Sequence, residues 1–160
     1  MDTDWAGCTR TRRSTSGGGI KLGGQTVKTW ATTQATVALS SAEAEYYGLV
    51  KGSCQLLGML ALLQDFGIQC NGRVYIDSSA ALGIAKRTGL GKTRHIAAHL
   101  LWVQERLRNK DFELPKVQGT ENPADLMTKF LSREDNDRHT YAWGAAPMEG
   151  RSDAAPQCLV

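Results

Sequence analysis

Between Thr15 and Thr33, in "TSGGGIKLGGQTVKTWATT", two short runs of β-forming residues, 19–22 and 26–32, flank a glycine pair, which predicts a hairpin. With residues 2–6 ahead of it, the pattern predicts three consecutive antiparallel strands. The period then changes. In "ALSSAEAEYYGLVKGSCQLLGMLALLQDFG", Ser40 or Ser41 stands as N-cap, acids follow in the first turn and Gly67 is the stop, so a long helix is expected. Gly48, Gly52 and Gly58 each weaken it by up to ~1 kcal/mol. "GRVYIDS" predicts a strand over 72–78, and "SSAALGIAKRTG" a short helix closed by Gly89. Ile96, Leu100, Val103 and Leu107 have helical spacing within a second substantial helix over 93–111. "FELPKVQ" reads as a strand whose Pro115 suits an edge or an end, and "NPADLMTKFLS" as a last helix with Asn122 as cap and Pro123 in first position. From Arg133 onward no period is sustained, which predicts a tail of low order over 133–160 behind a domain of 1–132. The order β-β-β-α-β-α-α-β-α implies an α/β fold, a mixed sheet flanked by helices, without internal repeats.

Composition narrows the class without naming a function. The 160 residues fit one domain, and 41% hydrophobic with 22% charged residues is ordinary for a soluble globular chain. No run approaches the roughly 18 apolar residues a membrane span needs, so no membrane partner is expected. "MDTDWAGCTR" lacks a basic segment followed by an apolar one, and an intracellular protein is the expectation. Cys8, Cys54, Cys70 and Cys158 show no Cys-x-x-Cys spacing, which disfavours zinc and reads as incidental thiols. Up to Ser132 there are 16 Lys and Arg against 11 Asp and Glu, a surplus of five that permits a polyanionic partner without demanding one.

The carboxylates change the picture. Glu45 begins a stripe that continues through Leu49, Leu56, Leu60 and Leu63, whereas Glu43 lies on nearly the opposite side of the helix. Glu45 therefore points towards the expected core, where an acid serving only the helix dipole has no need to be. Asp77 follows the apolar run 74–76 at a strand's C-terminal end, where open α/β sheets place their ligands, although it could also cap the helix that follows. Asp125 lies in the first turn of the last helix, and Asp2 and Asp4 share one face of the first strand. Four elements thus each offer an acidic side chain near an end. Hard divalent cations are held by such oxygens, and a pair of them can bind both the attacking water and the leaving oxygen of a phosphodiester.

Other candidates carry less. His95 and His99 are four apart on one helix without a third ligand, which favours helix surface or core over metal. Trp5, Trp30 and Trp102 are read as core rather than stacking platforms. "GGG", 17–19, is a permissive turn.

Taken in order, "DTDWAG", "RRSTSGG", "SSAEAEYYGL", "YIDSSAALGIAK", "KTRHI" and "NPADLMTK" closely resemble the ribonuclease H domain of copia-type retrotransposon Pol polyproteins, over about 2–132. The resemblance implies a ribonuclease H-like fold with a mixed five-stranded sheet, three antiparallel strands and then parallel ones. It implies an endonuclease that cuts the RNA strand of RNA:DNA hybrids using two Mg²⁺ ions, with Mn²⁺ as substitute. Matched by motif, Asp2, Glu45, Asp77 and Asp125 are the catalytic, metal-binding carboxylates, with Asp4 a competitor for Asp2. Beside such a site the basic loops "RTRR" and "KRTGLGKTR" suit phosphate contacts, and Arg12, Arg13, Ser14, Lys92 and Arg94 are the expected nucleic-acid contacts, with Thr15 and Ser16 close to the backbone. The implied partners are the hybrid and the reverse transcriptase domain of the same polyprotein, in a cytoplasmic particle or the nucleus. The family's first strand extends several residues before its aspartate, whereas Met1 directly precedes Asp2 here. The chain is therefore read as a piece cut at its first strand, with Asp2 prone to fray and activity alone expected to be low. The alternative is a degenerate, non-catalytic relic or hybrid-binding scaffold. The integrase branch of the fold wants a separate His/Cys zinc module, which is absent from the sequence.

Overall fold

A computed structural model describes residues 1–89, 91, 96 and 98–146. Three strands form an antiparallel sheet in the order β1 (Asp2–Asp4), β2 (Thr15–Leu22), β3 (Gln25–Thr33). In register, Asp2 faces Gly17, Thr3 faces Ser16 and Asp4 faces Thr15. The hairpin turns at Gly23 and Gly24, both at positive φ, as the glycine pair required. β1 is shorter than expected because Ala6 adopts φ 54°, which turns the chain out of the strand.

"GGG" is strand rather than turn. A Cβ on Gly17 would lie 2.6 Å from Met127 Cβ, and one on Gly19 would lie 2.6 Å from a ring carbon of Trp143. These glycines let neighbouring segments lie directly on the sheet.

Among the described residues the sheet has three strands rather than the expected five. Segments 72–76 and 113–117 run parallel but meet only in isolated bridges, Arg73 with Glu113 and Ile76 with Lys116. Val74 N donates to Glu113 O at 2.9 Å, whereas Ile76 N reaches Pro115 O only at 3.4 Å. Pro115 has no N–H to return, so the ladder breaks there. Met1 joins this pair to the sheet, its amino nitrogen donating to Tyr75 O at 2.8 Å.

Helix α1 (Ser41–Asp65) begins as expected, with Ser40 Oγ accepting from Glu43 N. It presses closely on β1. A Cβ on Gly48 would lie 2.3 Å from Thr3 Oγ1, so this glycine is an approach point, whereas around Gly58 there is open space. Tyr46, Leu49 and Val50 of α1 form the core with Val74, Ile76, Ile96, Val103, Phe112, Leu114 and the apolar face of α2 (Ser79–Lys86). A groove of about 600 Å³, lined by Ile20, Trp30, Leu56, Leu60, Val74 and Trp143, receives the lower part of the leucine stripe.

Two helices are shorter than expected. Within 93–111 the described residues form a 3₁₀ turn, Ala98–Leu101, followed by α3 (Trp102–Arg108). Residues 122–132 hold only the 3₁₀ turn Pro123–Met127, capped by Asn122 Oδ1 accepting from Ala124 N. The segment expected to be of low order opens instead with a helix, α4 (Arg133–Ala142). Ser132 Oγ caps it by accepting from Asp135 N. Lys21 Nζ donates to Ala142 O at 2.7 Å and Trp143 Nε1 to Pro123 O at 2.8 Å, which fastens α4 to the sheet and to the 3₁₀ turn. Its partners come from distant sequence, so it has no apolar period of its own to announce it. Residues 147–160 lie outside the described residues.

Candidate metal centre

Each carboxylate reaches the site from the end of a different element. Asp2 projects from β1 and is almost fully buried, its Oδ2 accepting from Thr128 Oγ1. Asp4, two residues on, is used locally: its Oδ1 accepts from Thr15 N, and its other oxygen lies where a Cβ on Gly7 would fall. That separates the two aspartates, because Asp4 is spent on closing the 5–14 loop while Asp2 stays available. Nor does Asp2 fray. Met1 is buried, its amino nitrogen on Tyr75 O and its carbonyl accepting from Asn122 Nδ2 at 3.0 Å. Burial lowers the pKa of that amino group, outweighing the charges of Asp2, Asp77, Glu45 and Asp125 that raise it.

Asp77 emerges directly after fully buried Ile76. The cap of α2 is Ser78, whose Oγ accepts from Ala81 N at 3.2 Å, so Asp77 is free of that duty. Its Oδ2 accepts from Asn122 Nδ2 at 3.4 Å. Asp125 is brought in by the Pro123–Met127 turn. Oxygens of Asp2, Asp77 and Asp125 all lie within 4.8 Å of one another.

Glu45 stands beside this trio. It and Asp77 line an open depression of about 400 Å³ with Ser41, Ser78, Lys116 and Gly119. Glu45 Oε2 is buried with no hydrogen-bond partner among the described residues. Glu43 is the structural acid of this turn, accepting from Leu39 N at 2.8 Å and from Tyr47 OH. The two glutamates of "SSAEAEYYGL" therefore divide the work: one closes the helix start, the other faces the cluster.

The electrostatics match four acids crowded together. Burial, then the charges of Asp2 and Asp77, push Glu45 up to about 8. Burial also raises Asp125. Against them stands Lys129, with Nζ 3.2 Å from Asp2 Oδ1 and 3.0 Å from Asp125 Oδ1. Burial alone would lower the Lys129 pKa, but Asp2 and Asp125 outweigh it and the net displacement is upward. The Lys129 ammonium offsets only part of the charge of Asp2, Asp77 and Asp125. Hard oxygen donors at this spacing, one of them with a buried and unpartnered oxygen, fit a divalent cation.

The remaining expected contacts fare unequally. Arg12 and Arg13 are exposed in the loop before β2, with Arg12 at φ 56°. Ser14 is fully buried, its Oγ accepting from Ala6 N at 3.0 Å, and offers no surface to a phosphate. Lys92, Arg94 and His95 lie outside the described residues, and His99 is exposed. Trp5 is 53% exposed rather than core, its Nε1 reaching Ala38 O, while Trp102 packs against the core as expected. Lys129, Thr128 and the second role of Asn122 had no sequence-level reading, although the four-residue spacing from Asp125 to Lys129 was a signal for an ion pair.

Comparison with known proteins finds no matching family model and no matching solved structure. Among curated proteins, the chain is 31% identical over 134 residues to the "Retrovirus-related Pol polyprotein from transposon TNT 1-94" of Nicotiana tabacum, covering 82% of this chain and 10% of that protein. It is 30% identical over 135 residues to the corresponding polyprotein from transposon RE2 of Arabidopsis thaliana and 28% identical over 135 residues to that from RE1, in each case covering 82% of this chain and 9% of the relative. The chain thus spans about a tenth of the length of the curated relatives it matches. Its homologues are retrovirus-related Pol polyproteins of plant transposons, matched over one short region of each.

Proposed function

We propose that the chain is a ribonuclease H domain, a metal-dependent endonuclease that hydrolyses the RNA strand of RNA:DNA hybrids within a retrotransposon polyprotein. The observation that carries this reading is the convergence of Asp2, Asp77 and Asp125, from three separate elements, beside Glu45 at an open depression. Those four carboxylates would hold two Mg²⁺ ions, or Mn²⁺ in their place. Bound there, the ions would supply an activated water and stabilisation of the departing 3′ oxygen. The chain's own residues set the stage. Thr128 and Asn122 fix the carboxylates of Asp2 and Asp77, the depression leaves room for a backbone beside Glu45, and Arg12 and Arg13 offer exposed charge for phosphates. The partners of this reading are the hybrid and the reverse transcriptase domain of the same polyprotein, which makes the substrate, and the setting is intracellular.

The test is cleavage of a hybrid labelled on its RNA strand, with duplex DNA and duplex RNA as controls. Cutting confined to the RNA of the hybrid, dependent on Mg²⁺ or Mn²⁺ and abolished by Asp77→Asn, is expected. Undiminished cutting in excess chelator, or by the variant, defeats the reading.

A further inference from the structure

Lys129 is a feature of the site that metal-binding carboxylates do not call for. Its ammonium takes one oxygen each from Asp2 and Asp125, two members of the trio whose oxygens lie within 4.8 Å. A mechanical tie between β1 and the 3₁₀ turn does not require it, since Thr128 already joins Asp2 from the same segment. The side chains are also unequally exposed: Asp2 is 2% and Asp125 12% exposed, whereas Lys129 is 41% exposed. The acids are buried, and the Lys129 side chain that holds them is partly open to solvent.

We propose that Lys129 is a tethered cation that holds the Asp2–Asp125 pair in the ion-free protein and is displaced when a divalent cation takes the same oxygens, so that it sets the threshold for ion binding. This rests on the metal-centre reading above and deepens it. The physical argument is competition. Buried carboxylates without a cation repel one another, and an ammonium a few ångströms away relieves part of that repulsion. A divalent ion entering among the same oxygens meets the ammonium as a like charge and must push it outward. Lys129 is then a positioning residue acting through Asp2 and Asp125. It makes the empty site tolerable and makes filling it depend on the free ion concentration.

The experiment is a Mn²⁺ titration of the whole chain, read from the free-ion electron paramagnetic resonance signal, for the wild type, Lys129→Met, Lys129→Gln, Lys129→Arg and Asp77→Asn. The two neutral variants should bind Mn²⁺ about tenfold or more tighter than wild type, because the repulsion of a unit charge several ångströms from a divalent ion is removed. Lys129→Arg, which keeps the charge, should stay close to wild type, and Asp77→Asn should bind more weakly, which locates the ion. Neutral variants that fold only when Mn²⁺ is present also support the exchange, since the ion then replaces the missing cation. Neutral variants that bind no tighter than a wild type that does bind would overturn the proposal. So would neutral variants that stay unfolded with Mn²⁺ present, which would make Lys129 a structural tie. If no protein in the series binds Mn²⁺ in the millimolar range, the metal-centre reading itself falls, a result distinct from unchanged affinity.

Discussion

Replacing Glu45 by Gln should stabilise the ion-free protein, and only above a definite pH. In the folded chain Glu45 is raised from 4.5 to about 8, first by burial and then by Asp2 and Asp77. The folded state therefore holds this proton more tightly than the unfolded one. The contribution is fully present below about pH 4.5 and is lost as pH rises towards 8, where the folded protein must carry the charge too. At roughly 1.4 kcal/mol per pH unit the ceiling is ~4 to 5 kcal/mol, and partial solvent access at the open depression reduces the expected penalty to ~2 to 3 kcal/mol. Glutamine keeps the shape and never ionises. Urea denaturation in excess chelator should find the wild type and Glu45→Gln nearly equal at ~pH 4.5, with the variant ahead by ~2 to 3 kcal/mol at ~pH 8.5. Saturating Mn²⁺ should shrink or reverse that gap, because the ion stabilises whichever chain binds it better. A variant no more stable than wild type at high pH, or ahead by the same amount at both, would refute the claim that Glu45 is strained by its neighbours.

Asp77→Asn should abolish hybrid cleavage while shifting the unfolding midpoint little, since it removes a ligand charge at nearly constant volume; normal turnover would exclude Asp77 as a ligand. Asn122→Ala should cost ~1 to 3 kcal/mol in urea unfolding, because it removes the cap of the 3₁₀ turn and the bond to Met1 O together, and a loss under ~0.5 kcal/mol would count against that joint role. The helix glycines should respond in opposite directions. Gly48→Ala should destabilise by ~1 to 3 kcal/mol because its Cβ meets Thr3, whereas Gly58→Ala should stabilise by up to ~1 kcal/mol, and thermal melts that move both the same way would contradict the packing described.

The features legible in the sequence were those that short-range chemistry dictates. The glycine-pair hairpin, the Ser40 cap and the apolar run ending at Asp77 each depend on neighbours a few residues away. The carboxylates could be nominated because each sits at the end of such an element, but Asp2 and Asp4 could not be separated, since alternation puts both on one face. What separates them is Thr15, which occupies Asp4, and Thr128 with Lys129, which reach Asp2 from the far end of the fold. Ser14 misled for a related reason. A serine beside arginines reads as a backbone contact, yet the loop folds back and spends its hydroxyl on Ala6. The expected parallel strands reduce to isolated bridges because Pro115 removes a donor in mid-ladder. Helix α4 is not legible in the sequence because it is amply charged and is held by Lys21, Pro123 and a closing tryptophan rather than by an apolar stripe.

The claim on which everything else depends is that Asp2, Glu45, Asp77 and Asp125 form one divalent-cation site. Crystals of the chain soaked in Mn²⁺, measured near the manganese absorption edge, test it most directly. An anomalous peak among the Asp2, Asp77 and Asp125 carboxylates, bordering Glu45 and lost in Asp77→Asn crystals, is the result expected. Anomalous density only at other carboxylates, with Lys129 still seated between Asp2 and Asp125 at saturating Mn²⁺, would contradict it.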